Sequence, residues 1–395
     1  MPDRPAAPSR ERVIWLYCGF QFFFSLLFWV PVFYEYQKRI GLSDREIFDI
    51  QSIYYVVFCL LEIPTGVAAD VLGAWRCMRD GAVVLVVANL AAILAQSYWG
   101  LIAHWLLVAL ARSFISGASS AYIYDYLARE GAAAEFKQIE GNARAYGLFG
   151  KVVCWAFVGW LMDRWLTAPY WLTVGSAVIA VGFACALPNV MVKQPVQEGL
   201  IARLTQTGQV LLRSPFLGLL MIQGIAIFVL SRIVQVNLFQ PILKGQGYGV
   251  TAFGVVMAVM TVFEAIGSAR PGWMRGWLSD LNAVFVLTLA LAGSMLALPV
   301  AGPAGCVAAL CVFALATGLS FPIQRQLLND NIADPRYRAT LLSTESIVDR
   351  AVCAVLAARI GGYLEAGQLD FFLVACAAGT IGGMLVLWWV LVMRE

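Results

Sequence analysis

The sequence predicts an all-α integral membrane protein of twelve transmembrane helices, arranged as two pseudo-symmetric six-helix bundles with both termini cytoplasmic. Three observations predict it. Of 395 residues, 61% are hydrophobic and 13% charged, with a mean hydropathy of +0.77; a soluble chain carries roughly a quarter charged residues. Apolar runs of about 20 residues, the length that crosses a bilayer as a helix, recur along the whole chain. Lysine and arginine divide unevenly between the connecting segments. With the N-terminus inside, sixteen fall on the cytoplasmic side and five outside, and the other six of the 27 lie within spans. An excess of basic residues marks the cytoplasmic side.

The predicted spans are 13–34, 48–69, 81–98, 101–124, 143–162, 168–187, 216–241, 250–269, 282–300, 303–328, 339–363 and 368–392. The polar stretch before the first span lacks the apolar core and cleavage site of a signal peptide, so that span is expected to be retained. Pro64, Pro169, Pro241 and Pro322 sit near span ends. The longest break separates spans six and seven and divides the chain into a bundle at 1–187, a linker at 188–215 and a bundle at 216–395. In the linker, Leu200, Ile201, Leu204 and Leu211 fall on one helical face, the pattern of a helix lying on a membrane surface. Tryptophans such as Trp99, Trp165 and Trp389 cluster near span ends, as an interfacial aromatic belt does.

Composition also excludes functions. A net charge of +3 gives no basic face for nucleic acid. The nine cysteines form no C-x-x-C pair and His104 is the only histidine, so no metal site, cofactor or catalytic residue is expected. The motifs of zinc proteases, serine hydrolases and P-loop enzymes do not occur, and an enzyme is not expected.

The stretch Glu62 to Arg79, EIPTGVAADVLGAWRCMR, is the most informative. It starts inside an apolar run and is read as leaving the membrane through Gly66, Asp70 and Gly73 into a basic loop. A glutamate inside a span is expensive and marks a function or a partner. The two halves also echo each other. GASSAYIYDYL from Gly117 parallels GLSFPIQRQLL from Gly318, and Glu62 parallels Glu264. Arg144 and Lys151 parallel Arg338 and Glu345. Such internal repeats are the usual build of secondary transporters.

With Gly66-x-x-x-Asp70-x-x-Gly73 between spans two and three, the chain resembles the major facilitator superfamily. The span-four segment ARSFISGASSAYIYDYL resembles bacterial members that also carry E-x-P-T-G. The loop motif departs from the family pattern at Val71, Ala74 and Trp75, where basic residues are usual, and Arg76 follows later. The resemblance implies two bundles that rock around a central site lined by helices one, four, seven and ten. It pairs helix two with eleven and helix five with eight. It makes Asp70 a cap on helix eleven and Asp125 a gate residue paired with Arg76 or Arg144.

The charged residues within spans are then candidates. Glu62, Glu264, Glu345 and Asp349 are the candidates for proton coupling, with Glu62 expected to meet Glu345 or Arg350, and Lys151 to meet Glu264. On span eleven, Arg338, Glu345, Asp349 and Arg359 fall near one helical line, and Glu345 and Asp349, four apart, repel unless a base intervenes. Gating is expected from Asp70, Arg76, Asp125, Arg144, Lys151, Arg338 and Arg350, while Arg325 reads as gate or snorkel rather than site. Substrate binding is expected on polar-aromatic faces. These hold Tyr17, Gln21 and Phe24 on span one, Arg112, Ser116 and Ser119 on span four, and Arg232 and Gln235, with Phe239 on the same face, on span seven.

The function expected is a proton-coupled secondary transporter that exports a small amphipathic organic molecule, anionic or zwitterionic, such as a carboxylate metallophore. Six basic residues within spans against five acidic ones favour that charge. Proton-coupled uptake of a siderophore or other metabolite is the alternative, and a non-transporting receptor or sensor is the alternative of another class. The expected partners are the small-molecule substrate, protons and the lipid bilayer. The expected setting is a bacterial inner membrane, and the expected state is a monomer.

Overall fold

The computed structural model describes residues 9–190, 214–332 and 338–392, and these are helices, turns and loops, without strands. The first part of the chain forms α1 (Arg10–Ser25), α2 (Phe33–Arg39), α3 (Asp44–Leu72), α4 (Ala74–Leu94), α5 (Tyr98–Arg129), α6 (Phe136–Trp155), α7 (Val158–Arg164) and α8 (Ala168–Ala186). The second forms α9 (Pro215–Ser231), α10 (Phe239–Gly245), α11 (Val250–Ala269), α12 (Asp280–Ala297), α13 (Gly302–Asp330), α14 (Arg338–Glu365) and α15 (Leu369–Val392). The linker predicted to carry a surface helix lies mostly outside the described residues.

Nine helical segments among the described residues are long and apolar enough to cross a bilayer, or ten if residues 133–155 and 158–164, bent by 43°, make one span. The chain is therefore a multi-pass membrane protein. Local chemistry sets several helix ends. Ser9, Ser97 and Ser279 cap the N-termini of α1, α5 and α12 by accepting from the backbone amides of Arg12, Gly100 and Asn282, which satisfies otherwise orphaned donors. Pro169, Pro215 and Pro303 stand in first turns, where a missing amide hydrogen costs nothing.

The loop expected after Gly66 is instead helix. α3 runs unbroken through Pro64, Gly66 and Asp70 to Leu72, and α4 begins at Ala74. Gly73 alone makes the turn, with φ +89°, a left-handed conformation that favours glycine. Asp70 thus lies in the last turn of α3, and Arg76 in the first turn of α4 with its side chain exposed. At 29 residues α3 would span about 44 Å, well beyond the roughly 30 Å hydrocarbon core, so its end can leave the membrane without ceasing to be helix. Pro322 is likewise inside α13. Span one breaks between α1 and α2 around a turn at Val30–Val32.

The described residues pack as two compact units. The first holds 9–29, 60–154 and 165–190; the second holds 30–59, 155–164, 214–332 and 338–392. Within the first, Tyr17, Phe20, Met78, Ile115, Tyr122 and Ile123 form a buried core.

Within the second unit, glycines let backbones approach closely, a common device between membrane helices. A Cβ on Gly318 would stand 2.1 Å from the Glu264 carbonyl oxygen, joining α13 to α11. One on Gly159 would stand 2.0 Å from the Val250 carbonyl oxygen, and one on Gly254 would stand 2.1 Å from that of Trp155, joining α7 to α11. A Cβ on Gly361 would meet the Arg45 backbone at 2.6 Å, joining α14 to the start of α3. The pairings of span two with eleven and span five with eight are therefore present in this unit. The repeat partners Gly117 and Gly318 differ: a Cβ on Gly117 would meet nothing within 4 Å.

Candidate functional site

The densest buried charge of the second unit lies on α14. Glu345 and Asp349 are 0% and 3% exposed, four residues apart on one helix. Two carboxylates so placed repel unless bases intervene, and a separate arginine serves each. Arg325 of α13 donates to Glu345 Oε2 through Nη1 at 2.7 Å. Arg232, where the chain leaves α9, donates to Asp349 Oδ2 through Nη2 at 3.4 Å, with its Nε 3.3 Å from Oδ1.

The two pairs differ in tightness. The Arg325 guanidinium sits over Phe228 and Phe321, 5.0 and 5.5 Å from their ring centroids. Cation–π contact adds to the ion pair there. Gly224 opens the space beside it: a Cβ there would come within 2.4 Å of Glu345 Oε1 and 2.7 Å of Gln324 Nε2. Gln324 Nε2 donates to the Leu220 carbonyl at 2.8 Å. Glu345 Oε1, Gln324 Oε1 and both amide atoms of the buried Gln223 have no hydrogen-bond partner among the described residues. Such unsatisfied polar atoms are costly and are a sign of function or of unseen water.

The looser pair begins at a local departure from α-helix. Arg232–Leu238 is a π-helix between α9 and α10, a wide turn found frequently at functional sites. It changes the register, so the face predicted for span seven divides. Arg232 and Gln235 stay half-buried, while Phe239 is fully buried and packs on Phe253. Gln235 donates to Thr317 Oγ1 at 3.3 Å, and Asn237 donates to the Tyr55 hydroxyl at 3.2 Å.

Arg350 reaches another helix, with its guanidinium 4.1 Å from the Phe58 ring centroid of α3, and it also bonds back to Ser346 of its own helix. Cys59 donates to the Ile347 carbonyl at 3.5 Å. The polar line read on span eleven is not continuous, since Arg359 is exposed where Glu345 and Asp349 are buried. The side chain of Arg338 lies outside the described residues, as does that of Asp70. Glu264 is half-buried on α11.

In the first unit, Arg112 and Ser116 project from an exposed face of α5, while Ser119 turns inward and donates to the Ile115 carbonyl at 3.1 Å. Phe24 stacks on Phe20 with centroids 5.7 Å apart. Tyr17 is fully buried; its hydroxyl donates to Glu140 Oε2 at 2.5 Å and accepts from Gln21 Nε2 at 2.9 Å. Ser120 donates to Glu140 Oε1 at 2.9 Å. Glu62, Asp125 and Lys151 are half-buried, and Arg144 is exposed.

Sequence reasoning passed over Glu140, Ser120, Gln324 and Gly224. Glu140 stands in the polar run FKQIEGNAR, which reads as loop, yet α6 starts at Phe136 and makes it helical. The spacing of Glu140 and Arg144, the i,i+4 acid–base pattern of a helix, was the available signal.

No metal-holding cluster of His, Cys, Asp or Glu occurs among the described residues. An apolar cleft of about 380 Å³ is lined by residues including Pro215, Met221, Ile222, Thr344, Val348 and Val390, and the paired acids are not part of its lining.

Residues 14–355 match the Major Facilitator Superfamily. The chain belongs to that superfamily. No curated protein matches it in sequence. Among solved structures it is similar to the nucleoside transporter NupG, with 13% identity, a TM-score of 0.77, and coverage of 98% of this chain and 99% of that one. It is also similar to the peptide transporter POT in complex with sulfate, with 12% identity, a TM-score of 0.79, and coverage of 99% and 96%. At such identities the likeness carries the fold alone. Superfamily membership places the chain among membrane transporters of small molecules rather than among enzymes.

Proposed function

We propose that this protein is a proton-coupled secondary transporter that exports a small anionic or zwitterionic organic molecule by alternating access. One observation carries the reading: two acids buried on one helix, each held by an arginine from elsewhere in the same unit, one tightly and one loosely. Burying a charge is tolerable only with a partner, so each arginine can leave its acid only if something replaces it. An anionic group on the cargo can replace Asp349 at Arg232, and a proton can replace Arg325 at Glu345. Glu345 Oε1 has an open hydrogen-bonding position beside Gln324 for the acid form. A fixed guanidinium with several donors suits a carboxylate or phosphate.

Under this reading Arg232 and Gln235, with Gln21, Phe24, Arg112, Ser116 and Ser119, meet cargo. Glu62 and Glu264 assist coupling at Glu345 and Asp349. Asp70, Arg76, Asp125, Arg144, Lys151, Arg338 and Arg350 gate. Adding α3 and α14 to the apolar helices gives twelve spans, with both termini in the cytoplasm of a bacterial inner membrane and a monomer as the working unit. The names of the structural neighbours, a nucleoside and a peptide transporter, make nucleosides and peptides the first cargoes to try beside organic carboxylates.

The test is flux in proteoliposomes, with radiolabelled panels of the three classes, loaded inside or outside, with and without a pH gradient. The expected result is gradient-driven movement of an anionic or zwitterionic solute that Arg232→Gln abolishes. Gradient-driven accumulation in the inward direction would replace export by uptake. Full pH-driven flux in both Glu345→Gln and Asp349→Asn would sink the coupling assignment.

A further inference from the structure

The first unit holds a carboxylate with a different kind of support. Glu140 of α6 is half-buried, and O–H donors rather than an arginine occupy its oxygens. Tyr17 of α1 donates to Oε2 and Ser120 of α5 to Oε1, while Gln21 of α1 fixes the Tyr17 oxygen from behind. Cys18 of α1 is close enough to feel the Glu140 charge. On its own helix Lys137 and Arg144 lie about one turn to either side, both exposed. Glu135, just before α6, is paired with Arg10 at 3.1 Å.

The partner type decides what a proton would cost. A guanidinium only donates and carries a positive charge, so a carboxylate that takes a proton forfeits the ion pair with it. A hydroxyl can donate or accept. If Glu140 gains a proton on Oε1, the new O–H can donate to Ser120 Oγ. The Ser120 hydrogen then turns toward the carbonyl four residues back, the bond its neighbour Ser119 already makes. Tyr17 continues to donate to Oε2. One negative charge is cancelled, one proton is bound, and no hydrogen bond is lost.

We infer that Glu140 is a proton-binding site of this protein, a carboxylate that gains and loses its proton in place while Tyr17 and Ser120 keep it hydrogen-bonded in both states. That this proton is coupled to cargo movement rests on the transport reading above; the binding site itself does not.

The experiment is an infrared pH titration of the purified full chain in phosphatidylcholine vesicles, following the carboxylic-acid C=O absorbance that appears on acidification. The expected result is a smaller absorbance in Glu140→Gln than in the wild type, with the missing part still present in Glu345→Gln. A Tyr17→Phe/Ser120→Ala double variant, which strips both hydroxyls, should alter that part of the titration. Superimposable titrations of wild type and Glu140→Gln overturn the proposal. Should Glu140→Gln fail to fold, a double variant that titrates as the wild type does overturns it. Proton binding at Glu140 without pH-driven flux of any cargo would leave this site standing and remove the transport coupling.

Discussion

The acid of the first unit and the acids of the second solve the same problem in opposite ways. Glu140 is half-buried and held by two hydroxyls. Glu345 and Asp349 are buried and held by arginines. The difference teaches what each can do. A hydroxyl can donate to or accept from its partner in either protonation state, whereas an arginine only donates and its charge favours the anion. On the two proposals above, the second unit holds charge for something to displace, and Glu140 is where a charge is cancelled with its hydrogen bonds kept. Within the second unit the contrast repeats on a smaller scale, since the Arg325 pair is short and sits over two phenyl rings while the Arg232 pair is long and begins in a π-helix.

The sharpest way to break the comparison is Arg325→Ala. It would leave Glu345 buried and unpaired, and thermal unfolding in detergent should show a loss of about 3–5 kcal/mol. A loss under about 1 kcal/mol would mean that Glu345 is not held as an anion. Arg232→Ala should cost clearly less in the same assay, because its pair is longer. Equal losses would erase the tight–loose distinction. Next in size is Gly224→Ala, whose added methyl would stand 2.4 Å from Glu345 Oε1. Overpacking of this kind costs about 1–3 kcal/mol. Glu345→Ala in the same chain should recover most of that loss, and a double-mutant cycle in thermal unfolding measures the coupling. The smallest effect belongs to the first unit. Ser120→Ala removes one neutral donor from Glu140 and should cost about 1 kcal/mol or less at neutral pH, since water can reach a half-buried acid. A loss as large as that of Arg325→Ala would show that Glu140 is held as rigidly as Glu345.

The candidate site was only partly legible beforehand. Glu345 and Asp349 stood out because acids inside an apolar run are rare and expensive, and their i,i+4 spacing demanded bases. Which bases answered was not legible. Arg232 and Arg325 lie 117 and 20 residues from their acids, and nothing in spacing along one helix selects a partner on another. Gly224 was silent for a related reason, since its role is the room it leaves for a side chain 121 residues away. Glu140 was missed because a polar stretch reads as loop when the helix that contains it begins earlier than its apolar run. Gly66 and Asp70 erred the other way: they read as a loop signal, yet a helix longer than the membrane absorbs them.

The sequence alone determined that the chain is helical and crosses the membrane many times, because burying unpaired backbone groups in hydrocarbon is prohibitive and a long apolar run has few other solutions. It also pointed to the family, through a glycine and aspartate pattern in which Gly73 alone is held by backbone geometry. Tertiary packing decided how the segments group and which charges meet. Residues 30–59 and 155–164 join the unit that holds the end of the chain, through glycine contacts that depend on surfaces from separate helices. An ion pair or a hydroxyl bridge is likewise a property of two surfaces at once. Its strength falls off over a few ångströms, and only the folded chain fixes distances on that scale.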